Sequence, residues 1–251
     1  MRRKKTGRSK VKILNTASIN KGDFPLLKNS QIVFEHAVHS VSSFYKLYQK
    51  GRKGSAGSTS HEEQDLLRAM LVFACSGLDD VVKQMIKDSL PKIIQQDIEG
   101  KGARQEFQKF VERRMKRVNS AEGAEKTLIV DTSFIAQVIT SNEPRATLLR
   151  FLQDYLLEDS LQSRDQVLKV AAHFAITKDQ VLADPETTKD AFDIRNDIIH
   201  EMDVDLSGKG KGQKKRRVRG APDMIKYCEN VLNISVAFIN VVAERIYGHT
   251  S

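Results

Sequence analysis

The sequence predicts an all-α protein, and three observations carry that reading. Apolar residues recur at three- and four-residue steps over long stretches, strand signals are weak, and several helix-start signatures precede the periodic runs. Composition agrees: among 251 residues there are five prolines, no tryptophan and only 6% aromatic side chains. The length is sufficient for one domain with a sizeable core.

Taken in order, residues 1–29 read as a basic, mostly unstructured arm. Ser30 is a candidate cap for a helix to about Lys50, with Val33, Ala37, Val41, Phe44 and Tyr48 at helical spacing. The stretch GRKGSAGSTS at 51–60 has the composition of a flexible linker. Ser60 followed by Glu63 is a capping box. The helix behind it should bury Leu67, Met70, Leu71, Ala74, Leu78, Val81, Val82, Met85 and Ile86, a coverage wide enough for a central position. Pro91 should kink or end it.

Residues 100–160 read as a helical insertion: an amphipathic basic helix from Arg104 to Arg117, a mixed segment Thr127–Ile139 assigned to helix, and a face made by Leu148, Leu149, Leu152, Tyr155 and Leu156. Ser163 with Gln166 and Thr177 with Gln180 are further capping boxes. Asp184-Pro185-Glu186 restarts a longer helix to about Asp203, and the last begins near Pro222. The domain is thus expected to span 30–250, with no internal repeat.

Charge is unevenly placed. The chain carries 41 Lys+Arg against 32 Asp+Glu. Residues 1–12 hold seven basic side chains and no acid, and the loop 207–220 holds another seven and no acid. Taking those fourteen from 41 leaves 27 against 32 acids, a net of −5. A mildly acidic body with two cationic segments favours local contact with a polyanion. The expected contacts in the loop are Lys209, Lys211, Lys214, Lys215, Arg216, Arg217 and Arg219. Both basic stretches also match nuclear-import signals.

Other classes are excluded. Val231–Ala243 is too short and too interrupted to span a bilayer, and no apolar run follows the basic start, so neither membrane nor secretory signal is expected. Cys75 and Cys228 are far apart in apolar patterns, which suits buried thiols in a cytoplasmic, reducing setting. His36 and His39 with Glu35 make an incomplete ligand set on a wet helix face. No metal and no cofactor are expected.

The segment richest in chemistry is Ala191-Phe-Asp-Ile-Arg-Asn-Asp-Ile-Ile-His-Glu201. On a helix, Ala191, Ile194 and Ile198 form one apolar stripe, and Phe192 with Ile199 forms a second, roughly 80–100° away. Asn196 and His200 are one turn apart, whereas Arg195 stands about 140° from His200. One ideal helix cannot aim both at one atom, so either the helix is irregular or a second copy completes the site.

The string Arg195-Asn196-Asp197-Ile198-Ile199-His200 resembles the signature of the HEPN family (higher eukaryotes and prokaryotes nucleotide-binding), in which Arg is followed by Asn, Asp or His and a His closes after four to six residues. Gly77-Leu78-Asp79-Asp80-Val81-Val82-Lys83 is similar to that family's central-helix pattern, with Asp79 and Lys83 as a supporting acid and base four apart, although Glu is the commoner acid. The resemblance covers about 30–95 and 163–247 and leaves 100–160 as an insertion.

It implies a HEPN-like bundle and a metal-independent endoribonuclease of the toxin or phage-defence kind. The active form would be a homodimer with a composite site, open to control by an antitoxin or other regulatory partner. In such a site an imidazole such as His200 serves as general acid and base. Arg195 would hold the scissile phosphate, and Asn196 would position the phosphate or orient His200. The attacking group would be RNA's own 2′-hydroxyl, which DNA lacks. The different-class alternative is a non-catalytic RNA-binding or scaffold protein.

Overall fold

The computed structural model describes residues 14–53, 57–97, 102–119, 127–205 and 216–248, with only the backbone at 116–119 and 127–130. It is an all-α protein. Its helices are α1 (Lys28–Arg52), α2 (His61–Asp88), α3 (Leu90–Gln96), α4 (Ala103–Met115), α5 (Thr132–Ile139), α6 (Pro144–Glu158), α7 (Arg164–His173), α8 (Lys178–Val181), α9 (Pro185–Glu201) and α10 (Ala221–Tyr247).

Helix α2 is the axis of the bundle. Its Ser60 hydroxyl accepts from the Glu63 amide and Glu63 returns a bond to the Ser60 amide, so the capping box holds at both ends. All nine of the residues expected to be buried are at most 1% exposed. They are covered by α1 and α10, with α9 and α6 completing the wrap. Helices α1 and α2 approach so closely that a Cβ on Gly77 would collide with the Ala37 methyl. Glycine inside a helix costs about 1 kcal/mol relative to alanine, and this contact is what offsets it. Pro91 sits in the first turn of α3, so it opens a new helix after Ser89.

Four expectations need correction. Ser30 does not cap α1: a short 3₁₀ turn, Pro25–Leu27, starts the helix at Lys28 and leaves Ser30 buried inside it. The arm is not unstructured throughout, because residues 14–27 form a strap along α10. Leu14, Phe24 and Leu27 are buried, and the amides of Asn15, Ala17 and Asn20 donate to the side chains of Glu229, Asn233 and Asn240 at 2.6, 2.7 and 2.8 Å. Asn240 also donates to the Ser18 carbonyl, and the Leu26 amide reaches the Tyr247 hydroxyl.

The third correction concerns Thr127–Ile139, which splits. Thr127–Val130 pairs antiparallel with Lys116–Asn119 as a short hairpin, so Lys116 and Arg117 leave the basic helix for a strand. Asp131 then caps α5 by accepting from the Phe134 amide. The β-branched residues before Asp131 favour extended backbone, and the cap starts the helix only after them. The fourth, the apolar stripe of Phe192, belongs with the site below.

The insertion shares the main core. Leu152 and Leu156 are buried, Phe110 meets Tyr155 at 5.4 Å between ring centroids, and Gln153 donates to the Ile86 and Lys87 carbonyls at the end of α2. On α7, His173 is buried, and its Nδ1 has no partner among the described residues. No described helix is long and apolar enough to cross a membrane.

Candidate active site

Helix α9 begins where Asp184 accepts hydrogen bonds from the Thr187 amide and hydroxyl, with Pro185 in the first turn. Thr188 donates to Asn230 of α10, which fixes the entry of the helix. The following turns lie among α2, α7 and α10. That enclosure buries Ala191 and Phe192 together and half-buries Ile194 and Ile198. Phe192 is therefore core, because neighbours cover the first turns of the second stripe as well as the first stripe. Ile199 alone of that stripe stays 42% exposed.

Arg195 and Asn196 are half-buried. The Arg195 Nη1 donates to Asn196 Oδ1 at 2.9 Å, and Asn196 Nδ2 donates to the Gln162 carbonyl at 3.3 Å. Arg195 Nε is buried without a partner among the described residues. Its guanidinium lies toward α2: burial pushes the Cys75 thiol up to about 12, and the Arg195 charge opposes that rise. The loop that Asn196 touches is held from α2 as well. Asp79 Oδ1 accepts from the Leu161 amide at 2.8 Å while Asp79 Oδ2 accepts from Lys83 at 2.7 Å. The two separate sequence motifs thus converge on one short loop.

His200 is exposed, and among the described residues no hydrogen bond or ion pair holds it. Helix α9 is continuous to Glu201, which removes the irregular-helix option. Within one chain Arg195 bonds Asn196 while His200 faces solvent, so the structure ties Asn196 and Asp79 to neighbouring residues of one loop, with no bond between Arg195 and His200 among the described residues.

Beyond His200 the helix ends abruptly, with Met202 and Asp203 both left-handed at φ 52° and 58°. Each such residue costs about 1–2 kcal/mol, so something must hold the turn. Asp203, fully buried, does so. It accepts from Arg68 Nε at 2.8 Å and from Arg219 Nε and Nη2 at 3.1 and 2.5 Å, while its carbonyl takes the Arg217 amide at 2.8 Å. Burial alone would raise the carboxyl's pKa, but the hydrogen bonds from Arg219 and Arg68 reverse that and hold it below the ordinary range. Arg217 bonds Asp197 at 2.5 Å, Arg216 pairs with Asp65 at 2.7 Å, and buried Gln64 exchanges hydrogen bonds with the Arg219 backbone.

Four arginines therefore face three carboxylates in this cluster. Of the expected polyanion contacts, Arg216, Arg217 and Arg219 are spent largely on the protein itself, whereas Lys209, Lys211, Lys214 and Lys215 lie outside the described residues. Asp203 does end the motif helix, as expected, and is also the hub of this cluster. Sequence reasoning missed Arg68 and Gln64. The signal was there: they occupy an i, i+4 step on the same face as Leu71 and Cys75, all four buried. Glu35, His36 and His39 are exposed on α1. Among the described residues no three His, Cys, Asp or Glu side chains cluster in a way that would hold a metal ion.

No family model, curated protein or solved structure matches this chain. The site is defined by its own geometry.

Proposed function

We propose that the chain is a metal-independent endoribonuclease of the HEPN type, acting as a homodimer in which Arg195 of one copy and His200 of the other serve one phosphate. The observation that carries this reading is the divergence of Arg195 and His200 on a regular helix, beside an Asn196 tied to the same loop as Asp79. Exposed Ile199 and Met202 flank His200, at 42% and 63% exposure, and supply apolar surface that a second copy would cover.

In the reaction, His200 removes the proton of the RNA 2′-hydroxyl, whose oxygen attacks the adjacent phosphorus as the bond to the 5′-oxygen breaks, and the imidazolium so formed returns the proton to that leaving oxygen. The product is a 2′,3′-cyclic phosphate. Arg195 stabilises the charge that develops on the phosphoryl oxygens. Toxin or defence duty, with an inhibitory partner, is the biological role that the HEPN resemblance suggests.

Incubating the protein with single-stranded RNA in EDTA tests the chemistry. Wild type should cut and leave cyclic-phosphate ends, and His200→Ala should lower the rate about 10²–10⁴-fold with helical content unchanged. Cleavage by His200→Ala at the wild-type rate would remove His200 from the mechanism. Mixing His200→Ala with Arg195→Ala should restore part of the activity, since mixed dimers would contain one intact composite site. No recovery, with dimers shown by light scattering, would mean the site is not shared.

A further inference from the structure

We infer that Asp197 and Arg217 are a positioning pair for His200: together they brace the last turn of α9, so that the imidazole is presented at one fixed place to a second copy. This role rests on the proposed function and names residues that it does not. His200 is exposed and makes no hydrogen bond or ion pair among the described residues. Its place is therefore decided by the turn that carries it, residues 197–203.

A helix end leaves its last four carbonyls without intrahelical partners, and such ends fray. Here the turn closes on itself and on the chain that returns at 216–219. The Asp197 carbonyl accepts the Met202 and Asp203 amides, and the Glu201 carbonyl accepts the Val204 amide at 3.1 Å. The Asp203 carbonyl takes the Arg217 amide at 2.8 Å, and Arg216 Nε donates to the Met202 carbonyl at 3.0 Å. Within the turn, the Asp197 carboxylate is fastened as well. Its Oδ2 accepts from Arg217 Nη1 at 2.5 Å, with Arg219 Nη2 3.7 Å away.

Fold stability does not account for this pair. The Arg217 and Asp197 side chains are 33% and 35% exposed, and an ion pair so open to water adds little to folding. The buried Asp203 already anchors the helix end through Arg68 and Arg219. What the pair adds is a second fixed point. His200 lies midway between Asp197 and Asp203, three residues from each, and Asp197 is its neighbour on the helix surface. Met202 and Asp203, two of the three non-glycine residues with positive φ among the described residues, follow almost at once. Backbone strain of this kind collects where a side chain must be aimed. In a site shared by two copies, a misplacement of about 1 Å costs on the order of 100-fold in rate.

A phosphate contact is the other role open to Arg217, and kinetics separates the two. The experiment uses the full chain and a single-stranded RNA oligonucleotide in EDTA. Arg217→Gln and Asp197→Asn should each lower kcat about 10- to 100-fold, with the urea midpoint unchanged and KM within about twofold of wild type. The double variant should be no slower than the slower single one, because both changes remove the same pair. Arg217→Lys keeps a cation opposite Asp197 and should recover most of the rate. A raised KM with unchanged kcat would make Arg217 a phosphate contact. A rate loss matched by a lower urea midpoint would make the pair structural. Either result would overturn the inference.

Backbone ¹⁵N relaxation supplies a readout that needs no turnover. The order parameter of the His200 amide should fall from about 0.85 towards 0.6 in Arg217→Gln and stay high in Arg217→Lys. An unchanged order parameter in Arg217→Gln would overturn the brace whether or not RNA is cut. If the wild type failed to cut RNA while the amide responded as expected, the proposed function would fail and the placement of His200 by the pair would stand.

Discussion

Two segments are fastened to the helical body by opposite means. At the end of α9, the turn around Asp203 is held by buried charge, with Arg68, Arg217 and Arg219 converging on Asp197 and Asp203. Along α10, the strap is held by single hydrogen bonds from its backbone amides to Glu229, Asn233 and Asn240 at the surface, with Leu14, Phe24 and Leu27 buried at its ends. A buried ionic cluster is costly to leave half-made, so it fixes one geometry and fails abruptly. Surface hydrogen bonds exchange with water at small net cost, so the strap opens locally without unfolding the domain. The motif helix is thus anchored where position matters, while residues 14–27 sit on a fastening that can be released.

The sharpest way to break that contrast is Asp203→Asn. It removes the buried carboxylate on which Arg68 and half-buried Arg219 converge, leaving them only Asp65 and Asp197, and should cost about 3 kcal/mol, read as a lower urea midpoint with unchanged slope. Acid supplies the next effect. Burial lowers the His173 pKa from 6.5 to about 4, so the unfolded chain binds a proton that the folded chain refuses across that window. Stability should fall as pH drops from 6.5 towards 4, by at most about 3 kcal/mol, and His173→Leu should flatten the slope.

Asp203 has the opposite timing. Its folded pKa is depressed, so its contribution persists above the ordinary carboxylate range and is lost only as pH falls through the folded value. Urea titrations at pH 7, 5 and 3 separate the two groups. The smallest effect belongs to Asn233→Ala alone: about 1 kcal/mol or less globally, with faster exchange confined to the strap.

What could be read in advance depended on how local each signal was. Helix α2 was legible because its nine core positions and its capping box lie within one continuous stretch. The start of α9 was legible for the same reason, in Asp184 and Pro185. The strap was not, because its partners are 214 to 222 residues away and its polar side chains carry no periodicity. The hairpin escaped because Thr127–Val130 runs into a helix with only Asp131 between. The motif residues Arg195, Asn196 and His200 are legible as a string, whereas the different burial of Phe192 and Ile199 is not, because helix spacing says which residues share a face and not how many neighbours cover it. Arg217 and Arg219 read from sequence as polyanion contacts, and only the folded cluster shows their carboxylate partners Asp197 and Asp203.

The bridge between Val204 and Arg216, backed by the Arg217 amide on the Asp203 carbonyl, clamps both ends of the stretch between them. Closing a loop on a fixed stem costs only about 0.6 kcal/mol for each doubling of its length. The intervening stretch is therefore a natural port for engineering: a reporter, an affinity tag or a protease recognition sequence can be spliced in there. The two fragments made by cutting such a sequence should stay assembled, held by the arginine cluster on one side and the common core on the other.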